Sequence, residues 1–345
     1  MIILMTFSSC SKTETKEKEN DLGEFVSKSD FYLDTLVDIK IYDPNEDSEA
    51  IIDKAMARID ELEKLLSVHI ENSDLFNIKE NAGIKPVKVS DETLYVLKKS
   101  IKYAQLSNGH FDITTGPLVD LWAIDLPNGH VPTEEELKET LPKIDYKKII
   151  IDEQNKTVML QDKGMIANLG AIAKGYIADE VKTVLLDNGV KHGIINLGGN
   201  VLLVDNKPDN IDFKIGVQDP SSDRGAYLGL LNAKDISIVS SGNYERYFEV
   251  DGKKYHHILD PFTGFPTENE IQQITILSKK SIDGDGLSTT GFLLGLDGAM
   301  NLIESLEDIE AIFITVDNKI YLTSGVGEQF VFDEANYSDK YEVIK

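Results

Sequence analysis

The dipeptide Asp251-Gly252 constrains this chain more than any other feature of it. It sits between two runs rich in aromatic and β-branched residues. Asp-Gly suits a two-residue type I′ hairpin turn, because both central residues of that turn need positive φ. Such a turn dictates the pairing: Val250 faces Lys253, Phe248 faces Tyr255 and Arg246 faces His257. Side chains alternate along a strand, so Arg246, Phe248, Tyr255 and His257 share one face, and Tyr247 and His256 share the other. A cation beside His257 keeps its imidazole neutral and able to accept a proton. The same pattern also describes an ordinary hairpin whose histidines pack or face water. Asp260-Pro261 and Gly264-Phe265-Pro266 then end the hairpin in a rigid loop.

Around it the chain mixes strands and helices. Alternation through Phe31, Leu33, Leu36, Ile39 and Ile41 predicts one strand over 31–42. Apolar residues from Ile51 to Leu66 follow helical spacing behind Asp47 or Ser48, and residues 91–106 repeat the pattern behind Ser90. Thr133 and Glu136 form a capping box that opens a short acidic helix, and 148–151 with 157–160 suit a hairpin. Residues 165–176 read as a strand, a glycine hinge and a helix running to about Leu186. Lys174 near that helix start is unfavourable unless an anion sits on the free N–H groups. Gly175 inside the helix costs about 1 kcal/mol relative to Ala, so something approaches it closely.

Residues 194–200 are a strand entering a Gly198-Gly199 turn. This is no G-x-G-x-x-G motif with a following βαβ unit, so a Rossmann fold is rejected. In 109–122, Phe111 and Trp122 supply planar surfaces and Gly116-Pro117 sets a turn. Asp112 there either accepts hydrogen bonds from a ring N–H or a ribose, or serves as a loop residue. Residues 283–290 enter a helix. Asp285 and Thr289, four apart, put two oxygens on one side. With a backbone carbonyl and phosphate oxygens these make a hard-oxygen site for Mg²⁺; without them, they are part of a capped helix. Asp297 caps a further helix, and strands near 311–316 and 319–323 end the fold.

These stretches resemble the ApbE family, the FAD:protein FMN transferases, over about residues 31 to 330. The resemblance rests on YERYF, DGK and YHHILDPFTGFP, on the run from Phe111 to Trp122, on Lys174-Gly175, on Gly198-Gly199-Asn200, and on Asp285 with Ser288-Thr289. Leu33-Asp34-Thr35 stands where the family has Met-Gly-Thr. His69 stands where an aromatic residue is frequent, Asn168 replaces an Asp, and Gly284 and Gly286 replace alanines. The resemblance implies an α+β fold of mixed sheets with flanking helices and a ligand cleft between lobes. It implies FAD as substrate, held by Leu33, His69, His110, Phe111, Asp112, Asn168, Lys174 and Leu259. It also implies Mg²⁺ held by Asp285, Thr289 and the Ala171 carbonyl, with His257 as the base. The implied reaction moves FMN from FAD to a Thr or Ser hydroxyl of a partner flavoprotein and releases AMP. Such partners carry an Asp-x-x-[Ser/Thr]-Gly-Ala-Thr type motif outside the cytoplasmic membrane. Two other outcomes fit the same motifs: hydrolysis of FAD by water, and flavin binding without catalysis.

The net charge of −25 argues against nucleic acid and against electrostatic attachment to a membrane. An anionic ligand therefore needs local donors or a bound cation. Cys10 is the one cysteine, so no internal disulfide forms. Residues 2–7 are apolar except Thr6, and Ser8-Ser9 precede Cys10, which resembles the end of a bacterial lipoprotein signal. The expected organisation is a signal peptide over 1–9, a polar tether over 10–30 lipidated at Cys10, and a flavin transferase domain over 31–345. The mature protein is expected on the periplasmic face of a membrane, held by its lipid anchor.

Overall fold

The computed structural model describes residues 24–124 and 126–344. Cys10, the expected signal and most of the expected tether lie outside the described residues. The chain opens with strands β1 (Phe25–Tyr32) and β2 (Thr35–Tyr42), then helices α1 (Ser48–Leu66) and α2 (Asp74–Glu80). Next come β3 (Val87–Lys88), α3 (Asp91–Leu106), α4 (Gly116–Trp122), α5 (Glu134–Thr140), β4 (Ile149–Asp152) and β5 (Thr157–Leu160). Helix α6 (Ala173–Asp187) leads into β6 (Gly193–Leu197), β7 (Asn200–Val204), β8 (Phe213–Gln218), β9 (Tyr227–Ala233) and β10 (Ser237–Gly242). The hairpin β11 (Tyr247–Val250) and β12 (Lys253–His256) precedes β13 (Ile271–Ser278) and α7 (Ser281–Glu304), which is broken at Gly295 (φ 73°, ψ 172°), just before the helical turn expected behind Asp297. The chain closes with β14 (Ile309–Thr315), β15 (Lys319–Leu322), β16 (Phe330–Phe332), α8 (Glu334–Tyr337) and β17 (Glu342–Ile344).

One nine-stranded sheet, in the order β1-β2-β6-β7-β10-β13-β14-β15-β17, is the backbone of the fold. Its pairs are antiparallel except β15 with β17. The two faces read directly from strand alternation. In β14, Ala311 and Phe313 join the core that also takes Ile59 of α1, Ile177 of α6 and Phe292 of α7. Ile312 and Ile314 point the other way, into a second core with Phe213 of β8 and Leu231 of β9. A third, small core gathers Leu118, Trp122, Leu137 and Leu259 under the β11–β12 hairpin.

The fold class is the expected one, and β6 and β7 form an antiparallel hairpin through Gly198-Gly199 instead of a βαβ unit. The Ser90 cap, the Thr133–Glu136 capping box and the β4–β5 hairpin are all present. Asp47 stands at the start of α1 without a side-chain cap bond.

Four local expectations are corrected. The single strand expected over 31–42 is two strands, because Leu33 and Asp34 both take positive φ (55° and 56°) and reverse the chain. The ordered domain consequently starts at least by Phe25, inside the expected tether. The strand expected before Gly170 is reduced to one bridge between Ile166 and Thr115. The fold does not end near residue 323: β16 pairs with β9, and β17 adds a parallel edge to the main sheet.

Candidate active site

Asp251 and Gly252 have φ of 51° and 78°, so the turn has the backbone its composition demands. Phe248 pairs with Tyr255 and Tyr247 with His256. Beyond the last ladder pair, the His257 N–H donates to the Arg246 carbonyl at 3.1 Å, which continues the register. The two histidines then diverge. His256 is buried and edge-on to Phe292; its Nε2 donates to the Thr267 carbonyl at 2.9 Å and its Nδ1 accepts the Ile258 N–H at 3.3 Å. Both nitrogens are occupied, so His256 is structural. His257 faces the opposite side, with Nδ1 3.3 Å from the Arg246 carbonyl. A carbonyl only accepts, so that contact places the proton on Nδ1 and leaves Nε2 as the acceptor. Burial first, then the charges of Arg246 and Lys174, push the His257 pKa down to about 4.

His257 lines a cleft of about 490 Å³ together with Leu33, His69, Asn168, Lys174 and Leu259. Six residues singled out far apart in sequence therefore meet in one place. Each is held by local structure. Leu33 sits in the β1–β2 turn, with its N–H on Glu63 Oε1 at 2.9 Å. Asp34 supplies the positive φ for which glycine is ordinarily used. His69 is exposed at the mouth. Asn168 Oδ1 accepts the Gly170 N–H at 2.8 Å, so its amide N–H₂ is the group left for a ligand. Lys174 Nζ donates to the Gly170 carbonyl at 3.1 Å. A larger hollow of about 860 Å³ opens beside His256 and Tyr247. It contains none of the expected site residues, so the smaller cleft carries the chemistry.

Three expected residues are placed differently. The Phe111 ring is 2 % exposed and packs edge-on to Tyr103 in the main core, so it offers no planar surface to a ligand. Trp122 belongs to the cleft lining but is buried, packed at a tilt against Tyr255 and Phe248, and donates from Nε1 to the Gly264 carbonyl at 2.7 Å. Asp112 accepts the Thr114 N–H (2.7 Å), the Thr114 hydroxyl (2.6 Å) and the Tyr146 N–H (2.8 Å), so it acts as the loop residue. Burial nonetheless raises its pKa. His110 lies against Phe262 on the 260–266 loop, with ring centroids 5.0 Å apart.

The expected metal residues lie on α7 and in the turn before α6, two helices that pack together at Gly175. Gly175 has no room for a side chain: a Cβ would strike the Ser281 carbonyl and come 2.7 Å from Asp285 Cβ. The close approach expected at Gly175 is thus α7 itself. Its N–H donates to Asp285 Oδ2 at 2.8 Å, while Asp285 Oδ1 lies 4.0 Å from Lys174 Nζ. Thr289 follows one helical turn later, half-buried. Ala171 lies in the turn before α6. Among the described residues no group of three or more His, Cys, Asp or Glu side chains could hold a metal. A single buried carboxylate with neutral oxygens suits Mg²⁺, which keeps waters and shares substrate phosphates, so the donor set fits that ion.

Two contributors carry no signal in the sequence: Glu63 anchors the Leu33 turn and Asp179 caps α7. Arg246, expected beside His257 from the hairpin register, lines the cleft.

The cleft thus brings His257 and Lys174 together, with the buried Asp285 carboxylate 4.0 Å behind the lysine. The ApbE family model matches residues 33–313, and the chain belongs to that family. An FAD:protein FMN transferase of Klebsiella pneumoniae is 37% identical over 286 residues, covering 83% of this chain and 88% of the relative. One of Treponema pallidum is 30% identical over 316 residues, 87% of each chain. The crystal structure of the ApbE protein of Thermotoga maritima superposes with a TM-score of 0.82 at 29% identity, covering 89% of this chain and 99% of that one. The flavin transferase ApbE of Vibrio cholerae gives 0.80 at 28% identity, again 89% and 99%. Among the described residues no helix is long and apolar enough to cross a membrane.

Proposed function

We propose that this chain transfers FMN from FAD to a Thr or Ser hydroxyl of a partner flavoprotein and releases AMP. The observation that carries the proposal is His257 on the cleft wall, with Nδ1 on the Arg246 carbonyl at 3.3 Å and Nε2 available; burial first, then Arg246, lowers its pKa. In this reading the acceptor hydroxyl gives its proton to His257 Nε2. Its oxygen forms a bond to the FMN phosphorus, and the bond to the AMP oxygen breaks with the electron pair leaving on AMP. Lys174 and Arg246 provide the local positive charge that a chain of net charge −25 lacks globally. Leu33, Asn168 and Leu259 shape the cleft around the flavin nucleotide. Asp285, Thr289 and the Ala171 carbonyl would hold Mg²⁺, which when bound neutralises the pyrophosphate oxygens. Lipidation of Cys10, placing the domain outside the cytoplasm on a membrane, belongs to the same proposal.

Incubating the protein with FAD, Mg²⁺ and an acceptor domain carrying the Thr motif, then weighing the acceptor, tests it. The expected result is an acceptor heavier by one FMN, absent when the acceptor Thr is replaced by Val. An unmodified acceptor with FAD intact refutes the proposal.

A further inference from the structure

We propose that Asp179 is a positioning residue that sets the metal-binding turn of α7. The proposal rests on the Mg²⁺ reading above. Neither helix at this junction caps itself. Lys280 precedes α7 and Ile172 precedes α6, and neither makes a side-chain cap bond. A helix start leaves N–H groups that need partners. Here each helix supplies them to the other. Asp179 of α6 accepts the Ser281 N–H (2.8 Å, Oδ1) and the Ile282 N–H (3.0 Å, Oδ2) of α7. Asp285 of α7 returns the bond by accepting the Gly175 N–H of α6.

The spacing makes these two contacts rungs of one clamp. Gly175 and Asp179 are four apart on α6, and Ser281 and Asp285 are four apart on α7, so each pair lies on one face. The bare Cα of Gly175 lets the helices close to this distance. On the side of α3, Asp283 accepts from Lys99 Nζ at 2.7 Å and from the Tyr103 hydroxyl, which resists rotation of the first turn of α7. Asp285 Oδ2 is committed to the clamp, so Oδ1 is the oxygen left for a cation. Asp179 is not part of the cleft lining, and its hydrogen bonds go to Ser281 and Ile282 instead of an expected metal ligand. It sets where α7 begins, and with that where Asp285 and Thr289 stand.

FAD binding followed by flavin fluorescence, titrated with Mg²⁺ and repeated in EDTA, tests this for wild type, Asp179→Ala and Asp179→Asn. Removing a partner that orients a ligand typically costs 10–100-fold in metal affinity. Asp179→Ala should raise the half-saturating Mg²⁺ by about that factor. In EDTA its FAD affinity should equal that of wild type. Asp179→Asn keeps one acceptor oxygen and should shift Mg²⁺ less. If Asp179→Ala does not fold, Asp179→Asn decides alone: a raised Mg²⁺ requirement at wild-type Tm supports the clamp, and an unchanged one overturns it. An equal loss of FAD affinity with and without Mg²⁺ marks a merely structural role and also overturns it. A wild type whose FAD binding ignores Mg²⁺ overturns the metal reading, and this inference with it.

Discussion

Replacing His257 by Ala removes the cleft group assigned as the base. General-base catalysis is typically worth about 10²–10⁴-fold, or about 3–5 kcal/mol of barrier. His257→Ala should slow FMN transfer by about that range while FAD still binds, because Lys174 and Asp285 are untouched. The matching His256→Ala should keep transfer within a few-fold and lose stability instead, since His256 is buried with both ring nitrogens bonded. The pH profile is the sharper part. An ordinary imidazole titrates near 6.5, so at pH 5.5 about one-tenth of it is neutral. His257, with its pKa pushed down to about 4, is almost wholly neutral there. The acid limb of kcat/KM should therefore lie near pH 4 instead of 6.5. Stability follows the same sign. Folded His257 binds fewer protons than unfolded His257, so its contribution is complete above 6.5 and drains away as pH falls towards 4. The assay is transfer to an acceptor across pH 4–8 with fluorescence for FAD affinity. An acid limb at 6–7, or a wild-type rate in His257→Ala, refutes the assigned role.

Two further outcomes follow from the site and one from the N-terminal sequence. Asp285→Ala should abolish Mg²⁺-dependent turnover, and Thr289→Ala, which loses only a neutral oxygen, should be milder; wild-type turnover by Asp285→Ala at ordinary Mg²⁺ would exclude the site. Gly175→Ala should lower Tm, because overpacking against α7 backbone costs about 1–3 kcal/mol and exceeds the roughly 1 kcal/mol gained in helix propensity; an unchanged or higher Tm would contradict the close contact. Cys10→Ala, expressed from its natural start, should leave the membrane fraction, since several acyl chains at about 0.8 kcal/mol per buried CH₂ form the anchor; continued membrane association would count against lipidation.

The parts legible in the sequence were those governed by local chemistry. Asp251-Gly252 determined a register that separated His257 from His256, and the glycine at 175 announced a close approach. The turn at Leu33-Asp34 was hidden, because alternation of apolar residues runs through it and Leu33, unlike Asp34, is not a usual positive-φ choice. Phe111 and Trp122 misled for a different reason. An aromatic ring stacked on a ligand and one packed in a core have the same sequence appearance, and only the fold shows the rings covered by Tyr103 and by the hairpin. Asp179 was invisible because its partners are backbone N–H groups a hundred residues away, which no residue type encodes.

Counting products tests the central claim most directly. Wild type should be given FAD and Mg²⁺, with and without a Thr-bearing acceptor, and both AMP and acceptor-bound FMN measured over time. Transfer predicts one AMP released per FMN attached, with AMP release falling sharply when the acceptor is omitted. AMP formed at the same rate without acceptor, with free FMN as the other product, would contradict the account and make hydrolysis the reaction of this cleft.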